Sequence, residues 1–390
     1  MSRTPAECGE ALGRLRAAAA ALGRAVRFME VCGTHTVSAF RCGLHSVMPE
    51  NVTLLSGPGC PVCVTAQGEI DLLIDLALRG DVTLCTYGDM MRVTGSSGSL
   101  EKARGRGADV RVVYSPMDAL ALAAARPDRQ VVFAAVGFET TAPGTAITVL
   151  EARRRGIGNF SVLASHKLVM PAMLALLESG RINVQGFLCP GHVSVITGSE
   201  VYRPIVERYG LPCVVAGFEP LQMALGLALL AEMVRDGRPA LENVYRQAVS
   251  ADGNRRAQQV LREVFEPADT TWRGLGTVPA SALVLREEFA PFDARRRFHL
   301  LQRHVPEPPG CRCGEVIMGV CTPAQCRLFA TVCNPTNPVG PCMVSSEGTC
   351  QAWFKYRRTT EAQAAQERGG IAAMETGGTR RAPGSARDGV

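Results

Sequence analysis

Fifteen cysteines in a 390-residue chain are the first feature with chemistry in it. Seven of them, Cys311, Cys313, Cys321, Cys326, Cys333, Cys342 and Cys350, crowd into the segment 311–350. Thiolates are soft ligands, and four at loop spacings suit zinc or an iron–sulfur cluster. The intervals are not the paired knuckles of a zinc ribbon. Leu328 and Phe329, between Cys326 and Cys333, offer the apolar cover that shields a cluster from solvent. Seven candidates for four positions leave cysteines over for redox work.

Cys60 and Cys63 form a C-x-x-C in GPGCPVC (57–63), a Pro/Gly turn between an expected strand and an expected helix. A helix N-terminus favours the thiolate, which suits a dithiol–disulfide switch or a metal-binding pair; buried small residues in a turn are the plainer reading. In MEVCGTHT (29–36), Cys32 stands three residues before His35, and Gly33 lets the backbone approach a ligand. Such a pair binds a metal or acts as a nucleophile and base, whereas a lone histidine is more often structural. Asp89 in YGDMMR, Glu139 in GFETTAP and His192 in PGHVSVI each follow an expected strand. A helix cap or first-turn carboxylate explains Asp89 and Glu139 as well.

The elements that must position these groups read as alternating strands and helices. Apolar, β-branched runs at 52–55, 82–86, 110–114, 131–136, 160–164, 185–188 and 213–216 predict buried strands, with helices over 69–78 and 170–177 between them. That alternation predicts an α/β protein with parallel sheets. Ligands bind outside the carboxyl ends of strands in such sheets, so Cys32, Cys60, Cys63, Asp89, Glu139 and His192 are expected to converge on one cleft. The repeated Gly-Phe-Glu at 137–139 and 217–219 hints at two related lobes. A helical pattern runs over 241–265, and residues after about 363 have little apolar content.

Composition removes other classes. Net charge is +6, without a dense basic stripe in the part expected to fold, which argues against a nucleic-acid binder. The apolar run 221–231 is shorter than the about 20 residues of a membrane span. The alanine-rich stretch 17–22 fits a helix with Leu12, Leu15, Ala19 and Leu22 on one face better than an export signal. An odd cysteine count in a large chain without such a signal points to metal ligands and redox thiols in the cytoplasm. No Walker A loop, dinucleotide fingerprint, G-x-S-x-G elbow or H-E-x-x-H is present.

Seven motifs taken in order carry a family resemblance: MEVCGTHT (29–36), GPGCPVC (57–63), YGDMMRV (87–93), GFETTAP (137–143), PGHVSVI (190–196), GFEPL (217–221) and GPCMVSSEGTC (340–350). Over about 28–356 the chain resembles the HypD family of hydrogenase maturation factors. The resemblance implies two Rossmann-like βαβ lobes with parallel sheets around a cleft, plus a third, mostly helical and loop domain carrying a 4Fe-4S cluster. The expected division is an N-terminal helix over 1–27 packing on the third domain, lobes over 28–127 and 128–237, a helical and cysteine-rich domain over 238–362, and a disordered tail over 363–390.

The same resemblance implies residue roles. Cys311, Cys326, Cys333 and Cys350 look like the cluster ligands, and Cys313 with Cys342 like a redox dithiol beside them. Cys60 and Cys63 look like a second dithiol. Cys32 looks like the thiol that holds the iron of an Fe(CN)2CO unit, with His35 and Glu139 near it. The implied function is a redox-active scaffold for assembling that unit in NiFe hydrogenase maturation. The implied partners are a HypC-type small chaperone and a HypE-type cyanide donor working with HypF, with neither nucleic acid nor membrane involved. A stand-alone iron–sulfur thiol–disulfide oxidoreductase acting on a protein client is the alternative. Val37 and Thr94 depart from the family pattern, where histidine and proline are frequent, and Cys42 and Cys321 look like extras outside it.

Overall fold

The computed structural model describes residues 5–301 and 303–357, so the tail expected over 363–390 lies outside the described residues. In chain order the strands are β1 (Val26–Glu30), β2 (Val52–Ser56), β3 (Val82–Thr86), β4 (Asp109–Val112), β5 (Gln130–Gly137), β6 (Phe160–Lys167), β7 (Gly186–Pro190), β8 (Cys213–Ala216), β9 (Leu241–Asn243), β10 (Phe265–Trp272) and β11 (Gly276–Leu285). They build two sheets, one ordered β2-β1-β7-β8-β9 and one ordered β10-β11-β6-β5-β3-β4. The first is parallel throughout. In the second, β3 to β6 are parallel and the β10–β11 hairpin adds antiparallel to β6.

Burial explains why the strands read so clearly in the sequence. All eight residues of β6 are buried, as are all five of β3, because helices and the opposite sheet cover both faces. Val136 and Leu163 from one sheet share a core with Phe187 and Cys189 from the other. Helix Pro220–Asp236 turns a stripe of Met223, Ala224, Leu227, Ala228, Leu230 and Ala231 inward and ends at Gly237, whose φ of 63° suits glycine.

Both sheets have a topological switch point. In the first, β2 lies on one side of β1 and β7 on the other, so a crevice opens between the carboxyl ends of β1 and β7. In the second, β4 and β5 flank β3 in the same way, and the crevice lies between β3 and β5. MEVCGTHT and PGHVSVI occupy the first crevice; YGDMMRV and GFETTAP occupy the second.

Several expectations are corrected. The boundary at 127/128 does not separate the sheets: β3 and β4 pair into the sheet of β5 and β6, while β1 and β2 join β7 and β8. Consecutive strands usually neighbour one another, but here the chain crosses between sheets repeatedly. Beside its helices and loops, the segment after 238 also contributes β9 and the long β10–β11 hairpin. The helix expected over 241–265 is confined to Arg255–Val264, capped by the Asn254 side chain. Pro267 and Pro279 disguise the hairpin as loop, and proline is tolerated in β10 because it is an edge strand. The N-terminal helix Pro5–Leu22 packs on helix Pro220–Asp236 rather than on the third domain, burying Leu15, Ala18 and Ala19. Arg14 fixes it there by bonds of 2.9 and 2.7 Å to the Glu232 carboxylate. Among the described residues no helix is long and apolar enough to cross a membrane.

Candidate functional site

Cys32 ends the run out of β1 and stands at the N-cap of helix Gly33–Arg41. Its amide donates to Glu30 Oε2 at 2.9 Å, and Thr36 Oγ1 donates to Glu30 Oε1. The GPGCPVC turn lies directly against it: Gly33 N donates to Gly59 O at 2.9 Å, and a Cβ on Gly59 would sit 2.2 Å from Cys32 N. Only glycine permits that approach. Burial pushes the Cys32 thiol up to about 12, and Glu347 adds to this, while the His35 and Thr34 amides pull the other way. Burial also pushes Glu30 up to about 7 and raises Glu347. The pocket therefore favours neutral groups when empty of cations, and a bound cation would reverse that balance at the thiol.

Beside Cys32, Cys60 and Cys63 form a disulfide with Cα atoms 5.2 Å apart. It shares a small pocket with Gly33, Thr36, Gly57, Ile317, Cys342, Glu347 and Thr349. The loop at 345–347 closes this pocket and ties the two switch points together. Asp89 Oδ2, at the second crevice, accepts 3.0 Å bonds from Ser345 Oγ, Ser346 N and Ser346 Oγ. Glu347 Oε1, one residue on, accepts from Thr34 Oγ1 at 2.8 Å in the first crevice.

A second pocket is lined by Cys311, Cys313, Cys326, Cys333, Cys342 and Cys350, with Val316, Leu328, Phe329, Gly340 and Met343 as its remaining wall. Cys321 is not among them; it lines a separate groove along β2 with His45 and Trp353. Backbone amides point at two of the sulfurs, Val339 N to Cys333 Sγ at 3.4 Å and Cys350 N to Cys342 Sγ at 3.2 Å. Hydrogen bonds with Cys313 and burial raise the Cys311 thiol. For Cys313 the bond with Cys311 lowers the pKa, but the bond with Cys342 and burial outweigh it. Among the described residues no three His, Cys, Asp or Glu side chains converge on a single ion. A polynuclear cluster takes its thiolates on separate irons, so its ligands need not converge. Six thiols around one apolar pocket, two of them already receiving N–H bonds, fit such a cluster in donor type and number.

Residues 8–357 match the family described as HypD, hydrogenase formation hypA family. The hydrogenase maturation factor HypD of Cupriavidus necator is 49% identical over 344 residues, covering 86% of this chain and 91% of that protein. The one from Azotobacter vinelandii is 48% identical over 352 residues, covering 88% and 93%. The one from Escherichia coli K12 is 45% identical over 361 residues, covering 91% and 97%. The chain belongs to the HypD family.

Within this HypD-family fold the expected site residues are brought together unevenly. Cys32, Cys60 and Cys63 adjoin, and Cys342 borders both the disulfide pocket and the six-cysteine pocket. His35 is fully buried, with Nε2 3.0 Å from Gly217 O. That carbonyl can only accept, so Nε2 carries the proton. Burial lowers the His35 pKa to about 4, and Nδ1 keeps a lone pair with no partner among the described residues. Phe218 lies between His35 and His192, with ring centroids 4.8 and 4.0 Å away. Glu139 belongs to the other crevice, where Oε1 accepts from Val169 N at 2.9 Å, and burial raises its carboxyl to about 7. Glu30, Ser345, Ser346 and Glu347 were missed as site residues. Glu30 lies inside MEVCGTHT and Glu347 inside GPCMVSSEGTC, so the motifs held the signal although the sequence could not show that they touch.

Proposed function

We propose that this chain acts in NiFe hydrogenase maturation as a redox-active scaffold on which the Fe(CN)2CO unit is assembled. Its family membership and three relatives named hydrogenase maturation factors support the process. The observation that carries the mechanism is the place of Cys342, which lines both the six-cysteine pocket and the pocket of the Cys60–Cys63 disulfide.

Cys32 is the thiol for the iron of the unit being built, a soft anchor suited to low-spin Fe(II). Glu30 and Glu347 stand beside it and would ionise once a cation binds, while His35 keeps a neutral ring nitrogen. Cys311, Cys326, Cys333 and Cys350 are assigned as ligands of a 4Fe-4S cluster, which supplies electrons when bound. Cys313 and Cys342 form the neighbouring dithiol. Attack by the Cys342 thiolate on the Cys60–Cys63 disulfide gives a mixed disulfide, and Cys313 then resolves it. One disulfide breaks and one forms, leaving Cys60 and Cys63 as thiols next to Cys32 and a Cys313–Cys342 disulfide to be re-reduced. A HypC-type chaperone would share the iron, and a HypE-type donor working with HypF would bring cyanide.

Burial speaks against a stand-alone reductase for an external client. Cys60 is 6% exposed and Cys63 1%, so a client disulfide cannot reach them without rearrangement. Infrared spectroscopy on anaerobically purified protein, co-produced with the chaperone, tests the scaffold reading. Bands from metal-bound CN and CO are expected in the parent and lost in Cys32→Ala at unchanged cluster iron. Cluster iron without those bands in a competent host would favour the reductase.

A further inference from the structure

The tip of the β10–β11 hairpin carries a charge that the dithiol chemistry alone does not require. Arg273 is 2% exposed. It lies between the disulfide turn and the cysteine segment: Arg273 N donates to Val64 O at 2.9 Å, and Trp272 bridges to Thr65. On the other side, Gly274 (φ 82°) packs so tightly that a Cβ would lie 2.5 Å from Gly314 O, next to Cys313. The guanidinium donates through Nε to Thr65 O at 3.2 Å and through Nη2 to Gln67 Oε1 at 3.0 Å, both neutral acceptors. Nη1 has no hydrogen-bond partner among the described residues.

A buried guanidinium costs free energy unless an anion compensates it. Among the described residues the carboxylate paired with it is Glu307, with Oε2 3.7 Å from Nη1. That side chain is 34% exposed against 0% for Arg273, so solvent weakens its hold. Cys313, one residue before the Gly314 that Gly274 packs on, lines the six-cysteine pocket together with Cys311. As neutral thiols they cannot balance the charge; as members of an anionic sulfur site they can.

We propose that Arg273 is the buried counter-charge of the six-cysteine pocket and sets the potential at which that pocket accepts electrons. This rests on the assignment of the cluster to the pocket. A fixed positive charge favours the reduced, more negative state, so it raises the reduction potential. Glu307 works in the opposite sense and less strongly. Arg273 acts through the field and through its grip on Thr65 and Gln67, as a positioning residue rather than a catalytic one.

The test is a redox titration of the full-length protein, purified anaerobically and followed by visible absorbance and electron paramagnetic resonance, with iron and sulfide counted for each variant. Arg273→Gln is expected to lower the midpoint so that, at the parent midpoint, the reduced-to-oxidised ratio falls about tenfold, or roughly 59 mV for one electron. Arg273→Lys should stay near the parent. Glu307→Gln should move the midpoint upward by less. A purely structural role predicts no such pair of opposite signs. Full iron and sulfide in Arg273→Gln with an unmoved midpoint would overturn the inference alone. If Arg273→Gln does not hold its cluster, Glu307→Gln decides, an upward shift supporting the counter-charge and no shift overturning it. A parent chain without iron–sulfur absorbance would sink the cluster assignment and this inference with it.

Discussion

Gly59 presses on the backbone of Cys32 so closely that a side chain at 59 would put its first carbon 2.2 Å from the Cys32 amide nitrogen. The turn that carries the disulfide is thus the wall against which Cys32, the proposed iron anchor, is set. Gly59→Ala must push the two apart, and both neighbours of the clash are backbone. A cost of about 2 kcal/mol is expected, the usual scale for overpacking. Infrared bands of the Fe(CN)2CO unit should fall steeply, while cluster absorbance remains. Normal bands at a lowered melting temperature would show that the contact matters for stability alone.

The separate placement of Cys321 and Cys326 makes a sharp pair of substitutions. Cys326 lines the six-cysteine pocket, whereas Cys321 faces the groove along β2. Cys326→Ser is expected to lose most of the iron and the visible absorbance of the purified protein. Cys321→Ser should keep both within about a tenth of the parent, since a serine at a non-ligand position changes nothing in the donor set. The reverse pattern would assign Cys321 to the cluster.

Lys167 and Glu69 are a buried ion pair, 3.1 Å apart with side chains 1% and 5% exposed. Lys167→Met leaves the carboxylate with Arg295 at 3.3 Å and Ser165 at 3.1 Å. Removing one member of a buried pair typically costs about 3–5 kcal/mol, and the remaining partners should hold the loss near the lower figure. Denaturant unfolding measures it. A change below about 1 kcal/mol would mean that Arg295 and Ser165 suffice.

Glu139 predicts a pH slope. Burial raises its carboxyl from 4.5 to about 7 in the folded chain. Between those values the unfolded chain has lost the proton that the folded chain keeps, so stability falls as pH rises through this window and levels off above it. The span corresponds to roughly 3 kcal/mol. Glu139→Gln removes this contribution, so its stability relative to the parent should improve from pH 5 to pH 8. Parallel pH curves for the two proteins would rule the shift out.

How much of this could be read beforehand depends on where each signal lies. The runs 82–86 and 160–164 were legible because strands covered on both faces are rich in apolar residues, whereas the polar end of β6, Ser165, His166 and Lys167, gave no such signal. The disulfide turn was legible because Pro61 and the flanking glycines punctuate it. The bond of Asp89 to Ser346 was not, since its two halves stand 257 residues apart and neither looks unusual locally. Arg273 was passed over because a single arginine in a stretch with two prolines resembles a solvated loop. The lobe boundary was misplaced because local periodicity says which segments are strands but not which sheet each one joins.

The interleaving of the two sheets also bears on how the chain comes off the ribosome. β1 ends at residue 30, yet its inner neighbour β7 begins at 186, with most of the other sheet made in between. At roughly 5–20 residues per second, β1 and β2 wait on the order of 10–30 s before that pairing can form. Through that interval Cys32, Cys60 and Cys63 are out on a nascent, half-covered sheet, and the segment 311–350 that shields them has yet to be translated. The complete set of thiols therefore exists only once residue 350 has emerged, and until then Cys32, Cys60 and Cys63 lack the cover that the finished fold gives them.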